Sequence, residues 1–167
     1  MKRIMIIGCC GAGKSTLARA LHQKTGIELI YLDQLYWLPN YHRPATTEWI
    51  DVVEKVAAKA EWILDGNYAG TMDIRLDRAD TIVFLDRSRW ICLYRTIIRS
   101  IRYFARTRPD MAAGCKERFN WPLLKYIFFY NDCSRPALMG KLEKAALEKP
   151  VYVLRSNREV HEFLVNL

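Results

Sequence analysis

The stretch GCCGAGKST, residues Gly8–Thr16, decides the fold predicted for this chain of 167 residues. It follows the apolar, β-branched run KRIMIIG, which is typical of a buried strand. It leads into STLARALHQKTG, which has the character of a helix closed by Gly26. The spacing Gly-x-x-x-x-Gly-Lys-Ser between a strand and a helix is that of a P-loop. Pattern and context therefore predict a strand–loop–helix unit that binds the phosphates of a nucleotide.

Each position of this loop has a physical role in the prediction. Glycines let backbone N–H groups approach phosphate oxygens without a clashing Cβ, and the N-terminus of the following helix adds positive potential. Lys14 is expected to reach the β- and γ-phosphates, Ser15 to bind Mg²⁺ and Thr16 to bond the α-phosphate. ATP and Mg²⁺ are thus the expected cofactors. The expected nucleotide-binding residues of the loop are Gly8, Gly11, Ala12, Gly13, Lys14, Ser15 and Thr16.

The rest of the chain alternates predicted strands with predicted helices. The further strands are IELIYL, EWILDG, DTIVFLD and PVYVLRS. Helices are predicted for TTEWIDVVEKVAAKA with Thr46 or Thr47 as the N-cap, from near Ser88, after caps at Asn120 and Ser134, and for the closing NREVHEFLVNL. This alternation predicts a single α/β domain, residues 1–167, in which helices cover both faces of a parallel sheet.

Three aspartates end predicted strands and should share one sheet edge with the P-loop. Asp65 is the favoured carboxylate near Mg²⁺, because Gly66 after it lets backbone or substrate pass close by. Asp33 either orients or deprotonates an acceptor hydroxyl or caps the next turn. Asp86 precedes Arg87 and Arg89, so an ion pair or helix cap is as good a reading as catalysis.

Positive charge is concentrated in one segment. The chain carries a net charge of +8, and residues 87–118 hold nine basic and two acidic residues, or +7 of it. In the helix after Ser88, an apolar set (Trp90, Tyr94, Ile97, Ile101, Phe104) and a basic set (Arg95, Arg99, Arg102, Arg106) recur at helical spacing on opposite faces. The arginines fit phosphoryl transfer, binding to the backbone of DNA, or a solvated helix face. The first is favoured, because no recognisable DNA-binding module accompanies them.

Export and membrane insertion are not predicted. No apolar run approaches the roughly 18 residues that span a bilayer. The N-terminus lacks a long apolar region with a cleavage site. The five cysteines form no CxxC pair, which fits reduced thiols and a cytoplasmic protein.

The chain resembles the adenylate kinase-like branch of small P-loop kinases in its P-loop, its second-strand aspartate, the DG that ends the third strand, and its arginine-rich lid. Over nearly its whole length it is also similar to the bacterial family known as DNA topology modulation proteins. The segments that carry this second resemblance are LDQLYW, WILDGNYAGTMDIRLDRADTIVFLD, RTRPDMAAGCKERF and LRSNREV.

The kinase resemblance implies a three-layer P-loop NTPase fold with a five-stranded sheet of order 2-3-1-4-5. It also implies metal-side placement of Asp65 and a lid, residues 106–120, whose arginines close over the phosphates. Adenylate kinases follow DG with an arginine that holds the acceptor's phosphate, whereas here the sequence is DGNY and the next arginine is Arg75. A small molecule with a hydroxyl, held by Asp33, Asn67 and Tyr68, fits at least as well as a nucleoside monophosphate.

The sequence therefore predicts an ATP/Mg²⁺-dependent phosphotransferase with a nucleotide and a small-molecule acceptor as partners. Lys14, Asp33, Asp65, Arg95, Arg106 and Arg108 are the expected catalytic residues, Arg118 is a further lid arginine, and Arg155 lies either near the base or on the surface. The alternative is a DNA-interacting protein in which nucleotide binding is regulatory. A simple NTPase is disfavoured, because no glutamate or glutamine is evidently placed to activate water.

Overall fold

A five-stranded, all-parallel sheet forms the centre of the molecule. The computed structural model describes residues 1–167, and its strands are β1 (Arg3–Gly8), β2 (Leu29–Tyr31), β3 (Trp62–Asp65), β4 (Thr81–Leu85) and β5 (Val151–Leu154). Their order is β2-β3-β1-β4-β5. β1 is central, with Ile6 beside Asp65 on β3 and Val83 on β4. The predicted α/β fold and strand order are confirmed.

Eight helices surround the sheet: α1 (Lys14–Thr25), α2 (Leu32–Tyr36), α3 (Thr46–Ala57), α4 (Met72–Arg78), α5 (Arg89–Arg102), α6 (Trp121–Cys133), α7 (Arg135–Ala145) and α8 (Asn157–Val165). None of them has the length and apolar character needed to cross a membrane. Ile4 to Ile7 of β1 are fully buried at the centre of the main apolar core. The short helices α2 and α4 were not predicted, because neither is long enough to show a period.

The predicted helix caps are partly confirmed. Gly26 ends α1 in the left-handed region at φ 74°, and Asn120 accepts the N–H of Leu123 at 3.1 Å. Thr46 lies inside α3, whose N-cap is Ala45, so that prediction is wrong. Ser134 has helical dihedral angles and makes no cap hydrogen bond with its side chain, because α6 runs into α7 there with hardly a break.

Helix α5 packs inward with its small residues and leaves its apolar face exposed. Trp90, Tyr94 and Ile101 on the apolar face are each about two thirds exposed, whereas Cys92, Thr96 and Ser100 are buried. These small residues let α5 approach the P-loop closely: a Cβ on Gly11 would lie 2.3 Å from the Cys92 carbonyl oxygen. Close backbone packing has decided the orientation of this helix, and the amphipathic pattern has not.

Candidate functional site

The P-loop connects β1 to α1 at the carboxyl edge of the sheet. Gly8 and Gly11 have φ of 148° and 80°, and a Cβ on Gly8 would lie 2.7 Å from the Leu85 carbonyl oxygen. The Gly8 N–H donates to Asn67 Oδ1 at 2.9 Å. That bond connects the start of the loop to the segment after β3. The side-chain oxygen of Asn67 therefore already accepts a hydrogen bond.

Lys14 is turned back onto the loop that precedes it. Its Nζ donates to the carbonyl oxygens of Gly8 at 3.0 Å and Cys9 at 3.1 Å. Burial lowers the pKa of Lys14, but the nearby Cys10, Asp65 and Asp33 side chains raise it by more, so the net shift is upward. The group is therefore a cation held by carbonyl dipoles, which a phosphate oxygen can replace.

A hydroxyl between two carboxylates lies at the start of α1. Ser15 Oγ donates to Asp65 Oδ2 at 2.7 Å and lies 3.2 Å from Asp110 Oδ2, which comes from the lid segment. Asp65 is only 6% exposed, and its Oδ1 has no hydrogen-bond partner. A partnerless buried carboxylate oxygen beside a hydroxyl is the oxygen chemistry that Mg²⁺ prefers, so Ser15 and Asp65 fit the expected metal.

Burial raises the pKa of the Asp65 carboxyl to about 6. The Lys14 ammonium and the Ser15 hydrogen bond lower the pKa, while Asp33 and Asp110 add to the rise. The carboxylates of this region thus place more negative charge near Asp65 than Lys14 and Ser15 compensate.

Asp33 lies near the start of α2 and is paired with a tyrosine. Tyr68 donates its hydroxyl to Asp33 Oδ1 at 2.5 Å, and Asp33 lines the same cavity as the P-loop. Burial raises the pKa of the Tyr68 phenol, and the charge of Asp33 raises it further, so Tyr68 stays a donor. One oxygen of Asp33 is fixed by this bond. The other has no protein partner and can meet a ligand.

Arg75 is a buried structural residue. Its guanidinium is fully buried and donates to the carbonyl oxygens of Gly66 at 2.7 Å and Tyr68 at 3.0 Å, as well as to those of Asn67 and Thr71. Burial lowers its pKa to about 10. It shapes the loop that carries Asn67 and Tyr68, and it does not line the cavity.

Residues 106–120, the segment predicted to be a lid, pack against α5 and the cavity. Glu117 is 6% exposed, accepts from Ser100 at 2.8 Å on α5, and lies 2.9 Å from Arg108 Nε. That last contact is too bent for a hydrogen bond and acts as an ion pair. Arg108 Nη1 also lies 3.4 Å from Asp110. The lid is therefore anchored to α5 through a buried acid.

The same segment contacts the chain that follows β2. Gln34 Nε2 donates to the Pro109 carbonyl at 2.7 Å, and Tyr41 donates its hydroxyl to the Lys116 carbonyl at 3.1 Å. These bonds close one side of a cavity of about 1380 Å³. Pockets that hold one small ligand are typically about 300–1,000 Å³, so this cavity has room for two.

The cavity brings together most of the predicted site residues. It is lined by Gly11, Ala12, Gly13, Lys14, Ser15, Thr16, Asp33, Asp65, Asn67, Tyr68, Arg95, Arg108 and Arg118. Arg95 Nη1 donates to the Ala12 carbonyl at 3.3 Å, which places it against the P-loop. Arg99 and Arg102 also line the cavity, so part of the basic face of α5 points toward the site.

Other predicted residues lie elsewhere. The Arg106 side chain is exposed and Arg155 Nε lies 3.6 Å from Asp86, and neither arginine lines the cavity. Arg135 donates to both oxygens of Asp86 at 2.8 Å and lowers the pKa of that carboxyl. These contacts favour the ion-pair interpretation of Asp86. Gly8 does not line the cavity, and its backbone N–H is bonded to Asn67.

Sequence reasoning missed Asp110, Arg87 and Asn157. Arg87 donates to the Arg155 carbonyl at 2.9 Å and to Asn157 Oδ1 at 3.0 Å, and Asn157 also meets Arg95 at 3.3 Å. Only Asp110 carried a signal in the sequence, as one of two acids in the basic segment.

Comparison with models of known protein families finds no match. An uncharacterized protein of Bacillus subtilis (strain 168), YqaC, is 26% identical over 166 residues, covering 96% of this chain and 92% of that protein. A sugar kinase from Janibacter sp. HTCC2649, solved without ligand, superimposes with a TM-score of 0.54 at 16% identity, covering 99% of this chain and 93% of that one. The chain therefore has the fold of a known kinase, and membership of the DNA topology modulation family stays a prediction.

Proposed function

We propose that this protein is an ATP/Mg²⁺-dependent phosphotransferase that transfers the γ-phosphoryl group to a hydroxyl of a small acceptor. The observation that carries the proposal is the composition of one cavity. A P-loop with Lys14 and Ser15 lies in the same space as a carboxylate, Asp33, that has a free oxygen. The volume is larger than one nucleotide requires.

On the donor side, the chain supplies positioning and charge. The P-loop N–H groups and the α1 N-terminus hold the phosphates, and Lys14 leaves the Gly8 and Cys9 carbonyls for a phosphate oxygen. Arg95 and Arg108 stand where they can neutralise charge that builds up on the transferring group. Ser15 and Asp65 would hold Mg²⁺, which when bound screens the charge of the phosphates.

On the acceptor side, Asp33 is the proposed base. The Tyr68 hydroxyl fixes one carboxylate oxygen, so the other can accept the proton of an acceptor hydroxyl. Arg75 is committed to backbone carbonyls and cannot hold an acceptor phosphate. This favours a hydroxyl-bearing small molecule over the mode by which adenylate kinases hold a nucleoside monophosphate.

The arginines of α5 bear on the DNA-interacting alternative. The cavity is lined in part by three arginines of α5, Arg95, Arg99 and Arg102. In that position they are closer to the phosphates of a nucleotide in the cavity than to a DNA duplex on the outer surface. A closed lid that excludes water would also suppress plain ATP hydrolysis. Both points support transfer to an acceptor.

The test is a screen of hydroxyl compounds with γ-labelled ATP. We expect little label transfer or hydrolysis without an acceptor, and a large rise with the right one. Lys14→Ala should abolish transfer, while Lys55→Ala, at an exposed site on α3, should not. Full turnover by the Lys14 variant, or ATP hydrolysis that no acceptor stimulates, would contradict the proposal.

A further inference from the structure

We propose that Asp110 is a metal-side residue of the lid, so that the lid closes on the Mg²⁺ of the bound nucleotide and not on its phosphates alone. The inference rests on the proposed function, because it needs a metal–nucleotide complex at the P-loop. It adds a third protein group to the metal side, beside Ser15 and Asp65.

The distances around Ser15 carry the geometric part of the argument. Its Oγ lies 2.7 Å from Asp65 Oδ2 and 3.2 Å from Asp110 Oδ2. An octahedral Mg²⁺ with ligands at about 2.0–2.1 Å has neighbouring ligand atoms roughly 3 Å apart. The two spacings therefore suit oxygens that share one ion.

A second observation points to a cation at the same place. Asp65 is more than nine-tenths buried and lines the cavity, and its Oδ1 has no hydrogen-bond partner. A buried carboxylate oxygen without a donor is costly unless a ligand supplies positive charge. Asp110, whose Oδ2 lies 3.2 Å from the same Ser15 hydroxyl, adds a second carboxylate at this point.

The lid holds Asp110 in this position by its own contacts. Pro109, the residue before it, accepts a hydrogen bond from Gln34 at 2.7 Å. Arg108 lies 3.4 Å from Asp110 but already has the buried Glu117 as a partner at 2.9 Å. Asp110 is thus not required to neutralise Arg108. Its side chain is 16% exposed and directed at the hydroxyl that a P-loop uses for metal.

In the alternative interpretation Asp110 is a plug, that is, a side chain that blocks the phosphate site. In that case its carboxylate occupies the space of a phosphate oxygen and opposes nucleotide binding by like-charge repulsion. The two readings differ in sign: a metal-side carboxylate strengthens binding only when Mg²⁺ is present, whereas a plug weakens binding with or without it.

The experiment is calorimetric titration of ADP into the full chain, in excess Mg²⁺ and in EDTA, for wild type and Asp110→Asn. Asp77→Asn, exposed on α4, is the matched control. We expect Mg²⁺ to strengthen ADP binding by wild type and by the control. In Asp110→Asn that gain should shrink by about tenfold or more, as for other groups that support a metal ligand, while affinity in EDTA stays the same.

A second readout follows lid closure directly. Hydrogen exchange of residues 106–118 should slow on adding Mg²⁺·ADP to wild type, and should slow much less in Asp110→Asn. An unchanged Mg²⁺ gain in the variant would overturn the inference, and tighter ADP binding in both buffers would establish the plug. ADP binding by wild type without any Mg²⁺ effect would overturn the inference but leave a nucleotide-binding site. No ADP binding by wild type would overturn the proposed function as well.

Discussion

At the scale of one residue, Asp65 serves the candidate site at a cost in the stability of the folded protein. Burial raises its pKa to about 6, from an ordinary value of 3.8. The folded protein therefore binds this proton more tightly than the unfolded chain does. The resulting contribution to stability is full below about pH 4 and is lost as the pH rises through about 6.

We expect Asp65→Asn to stabilise the ligand-free protein at pH 7–8 while impairing Mg²⁺-dependent activity. The gain has an upper bound of about 3 kcal/mol, since one pKa unit corresponds to about 1.4 kcal/mol. Thermal unfolding from pH 4 to pH 8 should show a flatter profile for the variant than for wild type. A Tm at pH 8 that falls below that of wild type would contradict this account.

Arg75 gives a second prediction for a single residue. Arg75→Leu removes the donors to the Gly66, Asn67 and Tyr68 carbonyls. The Tyr68 carbonyl keeps the N–H of Thr71, whereas those of Gly66 and Asn67 are left unpaired. Each such group costs about 1–3 kcal/mol, so we expect a loss of about 3 kcal/mol or more in urea unfolding. Arg78→Leu is the control, because Arg78 is exposed on the same helix. Equal stability of the two variants would show that the carbonyls find other donors.

The sequence indicated some of these residues and not others, for a physical reason. Lys14, Ser15 and Asp65 could be predicted because their chemistry is tied to a local spacing or a strand end. The roles of Arg75 and Asp110 depend on contacts across the fold, such as those of Arg75 with Gly66 and of Asp110 with Ser15. No local pattern encodes such contacts.

At the scale of elements, α5 and the lid show where periodicity misleads. An apolar helix face normally packs against the core, but α5 turns Cys92, Thr96 and Ser100 inward. The hydrophobic gain from burying the aromatic face is forgone in favour of close contact with the P-loop. The lid has no period at all between Tyr103 and Asn120, so its anchoring through Glu117 could not be predicted.

The lid anchor leads to a prediction at this scale. Glu117→Gln takes from the buried Arg108 the nearer of its two acidic partners and leaves only Asp110 at 3.4 Å. Breaking a buried ion pair by removing one partner typically costs several kcal/mol. We expect faster hydrogen exchange in residues 104–118, with exchange in the sheet unchanged. Glu148→Gln, at an exposed position, should leave both regions as in wild type. Unaltered exchange in the lid would mean that the contacts to Gln34 and Tyr41 suffice to hold it.

At the scale of the molecule, the parallel sheet explains why the predictions met at one place. β1, β2 and β3 end side by side, so the P-loop, Asp33 and Asp65 gather at one edge. The cluster of predicted residues was accessible because alternating strands and helices predict a parallel sheet, whose strands end at one edge. The strand order was accessible only through the resemblance to small P-loop kinases. The volume of the cavity was not, since it depends on how the lid folds back.

The net charge of +8 yields a prediction for the whole protein. Because Arg95, Arg99 and Arg102 line the cavity, we expect duplex DNA to bind weakly at low salt and to be displaced by saturating ATP. Fluorescence anisotropy of a labelled duplex with increasing ATP checks this. Duplex binding that ATP leaves intact and that Arg106→Ala weakens would point to the outward arginines and revive the DNA-interacting alternative.

The contact between Gly11 and α5 has a mechanical consequence. A Cβ at Gly11 would lie 2.3 Å from the Cys92 carbonyl oxygen and 2.6 Å from Thr96 Oγ1, so any side chain there would force α5 away from the P-loop. Because Ser100 on the same helix donates to Glu117, such a displacement would also shift residues 106–120. The spacing between the P-loop and α5 therefore sets the position of this segment over the cavity as well.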